Sequence, residues 1–322
     1  MPMPSTIALR LADPDSTVRR LAVMELPYSD EDDTVSLLLP CLADSDAQVR
    51  TEAVKALEGI EDPEVVQALA LMLLDDEDDV RKAAGTVLAE LKAPESAGPL
   101  LPLLTDHPAE VRALALHAVR ALRAPAAFAP AMQSLLDPDA SVRKEAVGVL
   151  GYLKDPAAIG ELAEVAANDP EADVRRIAVG ALGYASTVSV LPALTRALAD
   201  SAWMVRDEAA QTIGKLRLSL AIPDLVRAMQ DDYWQVRVKA ARSLGMLKAE
   251  AGLPSLVESL KHTISNLRKE AVIALGEIGD TRAIAPLELA LGDGDPDVRK
   301  LARLALTAIG LAQKARQQGS AS

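Results

Sequence analysis

The side chains in this sequence that could do chemistry are suited to holding a ligand rather than transforming one. Gly148 and Gly180 lie 32 residues apart, and Tyr152 and Tyr184, four residues after each, repeat that interval. Trp203 and Trp234 are the only two tryptophans, 31 residues apart, and Tyr233 stands beside the second. Tyrosine and tryptophan offer large rigid surfaces with a polar tip and often dominate binding energy at interfaces. Glycine inside a helix costs ~1 kcal/mol against alanine, so two at matching places call for a reason such as close approach by a ligand. With nearby cations added, the candidate partner-binding residues are Lys144, Gly148, Tyr152, Arg176, Gly180, Tyr184, Trp203, Tyr233, Trp234 and Arg242. No Ser-His-Asp set, phosphate loop or zinc spacing can be assembled, so no catalytic residue and no metal ligand is assigned. The acidic runs Asp30-Glu31-Asp32-Asp33 and Asp75-Asp76-Glu77-Asp78-Asp79 lack EF-hand spacing and read as solvated cap clusters.

What must position these residues is a repeat. Val18-Arg19, Val49-Arg50, Val80-Arg81, Val111-Arg112, Val142-Arg143, Val174-Arg175, Val205-Arg206, Val236-Arg237, Leu267-Arg268 and Val298-Arg299 recur every 31 residues, except for one interval of 32. A unit this short cannot bury its own apolar face and must stack on a copy of itself, which makes an α-solenoid. Units start near residues 13, 44, 75, 106, 137, 169, 200, 231, 262 and 293. In residues 137–167, Val142, Ala146, Leu150 and Leu153 form one helical stripe, capped by Asp137 or Asp139; this is helix B. Asp155 and Pro156 stop and restart the chain, and Ile159, Leu162, Val165 and Ala166 form the apolar face of helix A. The expectation is all-α with no strand.

An alanine stands four residues after the valine in all ten units, from Ala22 to Ala302, and its small side chain suits close helix packing. An aspartate stands five residues before the valine in nine of ten units, and the arginine follows the valine. Asp and Arg at fixed offsets predict a ladder of charge-assisted hydrogen bonds from unit to unit, broken at the ninth, where His262 replaces the aspartate.

With 47 acidic against 34 basic residues, the chain carries a net charge of −13. Nucleic acid and anionic membrane would be repelled over most of its surface. No apolar run approaches the ~20 residues of a membrane span, so a cytoplasmic location without membrane insertion is expected. Cys41 is the only cysteine, which excludes an internal disulfide. Two residues after the valine stand the cations Arg20, Lys82, Lys144, Arg176, Lys269 and Lys300. They read either as a basic stripe that steers an acidic segment, or as a solvated face neutralised by Glu52, Glu145, Glu208 and Glu270.

The unit D-x-D-x-x-V-R-x-x-A-x-x-x-L-G-x-L-x-D-P-x-A-I-x-x-L resembles the HEAT-repeat family, in its short phycocyanobilin-lyase-like form. Residues 137–167, 200–231 and 293–309 carry the match. The resemblance implies a right-handed superhelix of about ten helix pairs, monomeric, with helix A outside and helix B lining a concave groove. By that geometry, positions two, six and ten after the valine face the groove. The function it favours is a non-enzymatic scaffold or adaptor that holds a protein segment, with no cofactor. The alternative is a bilin lyase-like or cofactor-insertion subunit acting on a tetrapyrrole and its acceptor protein, the glycines serving as a bare floor beside the tyrosines. A deoxyhypusine hydroxylase would need His-Glu pairs, but His107, His117 and His262 are followed by Pro108, Ala118 and Thr263. The repeats predict one solenoid over residues 1–312 and a polar, disordered tail over 313–322.

Overall fold

The computed structural model describes residues 6–31, 33–185 and 188–319. Among these residues every regular element is helical, and the helices form the stacked pairs of an α-solenoid. The pairing runs A then B. Chain contacts divide into two compact units, Met1–Asp155 and Pro156–Ser322, and the boundary falls inside the one 32-residue interval, Val142 to Val174. In the first unit the B helices are Ser16–Glu25, Ala47–Ala56, Asp78–Ala89, Ala109–Arg120 and Ala140–Leu153. In the second they are Ala172–Ala181, Trp203–Lys215, Trp234–Met246, Ser265–Ile278 and Pro296–Gly319. Within each unit every B helix packs on the B helix of the next repeat.

The last B helix runs to Gly319 instead of giving way to a disordered tail at 313. Gln, Lys, Ala and Arg from 313 to 318 are all good helix formers, so polarity alone does not end the helix; residues 320–322 lie outside the described residues. The A element of the fourth repeat, Pro94–Leu104, is 3-10 rather than α. Pro99 and Pro102 remove two amide hydrogens and disfavour α geometry in the residue before each.

The turn between A and B is built by the aspartates. Asp13 Oδ1 accepts the N–H of Asp15 at 2.9 Å, and Asp15 in turn caps the next helix through the N–H of Thr17 at 2.8 Å. The first carboxylate also serves the neighbouring repeat. Arg19 donates from Nε and Nη2 to Asp44, both at 2.7 Å, and from Nη1 to the carbonyl of Asp13 at 2.8 Å. Arg50 does the same with Asp75 and the carbonyl of Asp44. In the second unit the bidentate pairs are Arg175 with Asp200, Arg206 with Asp231, and Arg268 with Asp293. The expected ladder therefore exists, with Arg19, Arg50, Arg175, Arg206 and Arg268 each tying the backbone of its own turn to the carboxylate of the next.

It has a break the sequence reading did not anticipate, at Asp106. Arg81 passes that residue by and bonds Glu110 at 2.9 Å. Elsewhere the carboxylate is steadied by the N–H two residues on, but here that residue is Pro108, which has none. Asp106 sits at φ 58°, outside the turn geometry of its counterparts.

The ten alanines four residues after the valine are fully buried, as expected. Closest approach, however, is set by glycine nine residues after it. A Cβ on Gly245 would lie 2.8 Å from the Ala274 Cα, and one on Gly276 3.0 Å from the Ala305 Cα, so neighbouring B helices touch backbone to backbone there.

The ladder holds its carboxylates in the charged form. Hydrogen bonds from Arg19 draw Asp44 below its ordinary range, outweighing partial burial. For Asp231 burial pushes upward most strongly, and the bonds from Arg206 and the Tyr233 N–H, with the charges of Arg206 and Arg237, together reverse it. A carboxylate with a depressed pKa stabilises the fold above its unfolded pKa of about 3.9, and that stability fades as pH falls through the folded value. Urea unfolding of Asp231→Asn should therefore show a deficit against the parent at pH 7 that narrows toward pH 3. Gly245→Ala should lose on the order of 1–3 kcal/mol, while Gly294→Ala, where an added Cβ meets nothing within 4 Å, should unfold like the parent.

Candidate functional site

Three of the ten candidates, Lys144, Gly148 and Tyr152, belong to the first unit, on the B helix Ala140–Leu153. Lys144 is exposed. Gly148 is not a bare floor. Arg120, from the preceding B helix, lies across it, and a Cβ there would come 2.9 Å from the Arg120 Cδ. Arg120 Nη1 continues to Glu145 Oε2 at 3.0 Å, and His117 Nδ1 lies 3.1 Å from the same oxygen. The guanidinium carbons of Arg120 and Arg123 each stand 5.8 Å from the centre of the Tyr152 ring. Tyr152 remains 45% exposed. Burial pushes the Glu145 carboxyl upward, but the His117 hydrogen bond and the charges of His117, Arg120 and Lys144 carry it below the usual range.

Two clefts open on this same face that spacing alone does not reveal. One of about 400 Å³ is lined by Lys82, Thr86, Leu114, His117 and Glu145. The other, about 460 Å³, is lined by Arg20, Thr51, Glu52, Lys55 and Lys82. Arg120 escaped notice because it stands nine residues after its valine, off the positions expected to face the groove.

The other seven candidates belong to the second unit, and they sort into two places. Arg176, Gly180, Tyr184 and Arg242 lie on or directly after B helices. Arg176 pairs with Asp173 at 3.5 Å. Gly180 is covered by Glu208, whose Oε1 would lie 3.2 Å from an added Cβ. Tyr184 is half-buried at the end of the 3-10 turn Leu182–Tyr184. Arg242 forms a two-pronged bond to the buried Glu270 at 3.0 and 3.1 Å, which occupies its charge. Two of the cations two residues after the valine are engaged by the next repeat. Arg20 bonds Gln48, and Lys269 bonds Asp297 at 3.0 Å.

Trp203, Tyr233 and Trp234 sit instead on the turns entering the B helices, along the ladder. The rings of Trp203 and Tyr233 are stacked, with centroids 5.5 Å apart and planes 14° from parallel. Arg206, the ladder arginine that holds Asp231, places its guanidinium carbon 5.7 Å from the Tyr233 ring centre. The stack is thereby clamped from one repeat to the next, yet Tyr233 keeps 45% of its surface exposed. Trp234, next to Tyr233 on the same turn, is half-buried.

Among the described residues no group of three or more His, Cys, Asp or Glu is placed to hold a metal ion, and no helix is long and apolar enough to cross a membrane. Stacked A–B pairs joined by a charge ladder define the class of α-solenoid repeat proteins. The family model for HEAT repeats matches residues 3–89, 71–150, 97–181, 161–235 and 222–307, and the chain belongs to the HEAT-repeat family. There is no significant match among curated proteins. Of solved structures, an engineered protein is similar at 21% identity, with 94% of this chain and 98% of that one covered and a TM-score of 0.55. Kap95p, in a structure with RanGDP, is similar at 15% identity with TM-score 0.63, covering 94% of this chain and 50% of that one. Importin beta is similar at 17% identity with TM-score 0.59 and the same coverages. The chain thus spans half the length of these last two proteins, and at such identities the likeness concerns the fold.

Two substitutions separate packing from charge in the first unit. Gly148→Ala should be tolerated, because the nearest atoms belong to the flexible Arg120 side chain. Glu145→Ala leaves Arg120 and His117 without their shared acceptor and should cost about 1.5–3 kcal/mol in urea unfolding.

Proposed function

We propose that this protein is a non-enzymatic scaffold that holds a segment of a partner protein, and that the segment lies along the A–B turns of repeats seven to nine. The observation that carries this reading is the Trp203–Tyr233 stack. Two large rings are fixed in place by ladder contacts while a substantial part of Tyr233 faces solvent. A pre-ordered aromatic surface binds without the entropy cost of ordering it, which is the usual profile of an interface anchor. Trp234 stands beside Tyr233 at the position that Trp203 holds one repeat earlier, and Tyr152 with Lys144 offers a second contact on the first unit. Solenoids of this kind hold extended partners along many repeats, and Kap95p is itself seen with Ran and with Nup1.

The finer assignment to the phycocyanobilin-lyase-like repeat type, and with it a tetrapyrrole ligand, draws less support. A planar ligand needs a flat open floor, and Gly148 and Gly180 are covered by Arg120 and Glu208. Cytoplasmic placement and a monomeric state belong to the same reading.

The double variant Trp203→Ala, Tyr233→Ala tests the proposal. Affinity capture from the native host followed by mass spectrometry should lose the partner retained by the parent, with helical circular dichroism unchanged. Retention of the same partners would overturn the assignment of this surface. A shifted visible spectrum on titration with haem or a bilin would favour the tetrapyrrole reading instead.

A further inference from the structure

The ladder has a vacancy in the second unit. In the repeats that keep it, the arginine gives Nη1 to the carbonyl of its own turn and Nε with Nη2 to the next aspartate. Arg237 has no next aspartate, because the ninth turn begins with His262. The side chain adjusts so that Nε, not Nη1, reaches the carbonyl of Asp231. Among the described residues Nη1 and Nη2 have no hydrogen-bond partner, and they are not shut off from solvent. Asp231, on the same turn as that carbonyl, is already engaged by Arg206 and the N–H of Tyr233.

Opposite the vacancy, His262 takes over only half of the missing residue's work. Its Nδ1 accepts the N–H of Ile264 at 3.1 Å, as Asp231 accepts that of Tyr233. An Nδ1 that accepts leaves the ring proton on Nε2, so the imidazole offers a donor where the aspartate offered an acceptor. The local charge agrees. The residues from His262 to Asn266 make the only one of the ten turns without an acid. Between the A helices of repeats nine and ten, a hollow of about 210 Å³ is lined by Val257, Leu260, Lys261, Pro286, Leu289, Ala290 and Asp293; Leu289 is 83% exposed, and the Asp293 carboxylate is already held by Arg268.

We infer that the gap between Arg237 and His262 receives a carboxylate from the bound partner, an Asp or Glu side chain that completes the ladder from outside, with a neighbouring apolar side chain seated against Leu289. This rests on the scaffold reading above and narrows the partner to an acidic segment. A carboxylate is favoured because the ladder arginines on either side, Arg206 and Arg268, each hold one through the same two-pronged geometry. The gap also continues the line of turns that carries Trp203, Tyr233 and Trp234.

The test uses the full chain and a fluorescein-labelled peptide of alternating Glu and Leu, read by anisotropy at low salt, beside a Gln-Leu peptide and a phosphoserine-Leu peptide. His262→Asp supplies the missing carboxylate from within and reproduces the residue found in the other nine turns. It should raise Tm by roughly 2–4 °C and weaken the Glu-Leu peptide about tenfold, to the level of Gln-Leu. Arg237→Gln should weaken that peptide similarly without raising Tm. The inference is overturned if Glu-Leu binds the parent no better than Gln-Leu, if neither binds, if phosphoserine-Leu is the only peptide retained, or if His262→Asp leaves both Tm and binding unchanged. The two readings fail separately. Loss of peptide discrimination with captured partners still dependent on Trp203 and Tyr233 removes the gap and leaves the scaffold, whereas discrimination that survives Trp203→Ala, Tyr233→Ala removes the aromatic anchor and leaves the gap.

Discussion

One carboxylate doing two jobs in most of the turns is the constraint on which the rest depends. The aspartate five residues before the valine closes its own turn by accepting the N–H two residues on, and accepts the arginine of the repeat before it. Local and inter-repeat structure are therefore coupled through a single side chain. The pairs are largely sheltered, Arg206 and Asp231 exposing 14% and 9% of their side chains, so their attraction is less screened than that of a surface ion pair. Apolar burial supplies most of the stacking energy, but it does not by itself select one register. The two-pronged bonds do, because they form only when consecutive turns are aligned.

The same coupling explains where binding features gather. Tyr233 follows Asp231 by two residues, so the N–H that steadies the carboxylate belongs to the residue whose ring Trp203 stacks upon. Arg206 touches both the carboxylate and the ring. A side chain on this edge is held by the fold's own scaffolding and needs no further ordering to meet a partner. On the B-helix face the aromatic, glycine and cationic candidates are drawn into internal networks, Arg120 over Gly148 and Arg242 with Glu270. Their charges serve neighbouring helices before they serve a ligand.

Much of this was legible from spacing. Helix type, repeat length, the buried alanines and the ladder follow from a period that admits few alternatives, and the loss of the ladder at His262 can be read from one substitution. Other features depended on atoms that spacing does not report. Asp106 matches the pattern by type and position, yet Pro108 removes the N–H its turn requires, and the arginine goes elsewhere. Gly148 and Gly180 looked like an open floor because a sequence shows what is missing at a position, not what leans in from the next helix. Alanine recurs in every unit and suggests close approach, while the backbone contacts fall at Gly214, Gly245 and Gly276, in a position that is glycine only from the fifth repeat to the ninth. Trp203 and Trp234 occupy one repeated position, and their standing before the valine puts them on the turns entering the B helices.

The most direct measurement of the central claim is a double-mutant cycle on one rung in urea, comparing Arg206→Met, Asp231→Leu and the double variant with the parent at pH 7. If the ladder couples neighbouring repeats, the interaction energy between the two sites should reach about 1 kcal/mol or more, and the double variant should be less impaired than the sum of the single ones. Effects that add to within ~0.3–0.5 kcal/mol would show that the two residues stabilise their own turns independently, and the ladder would not be what sets one repeat upon the next.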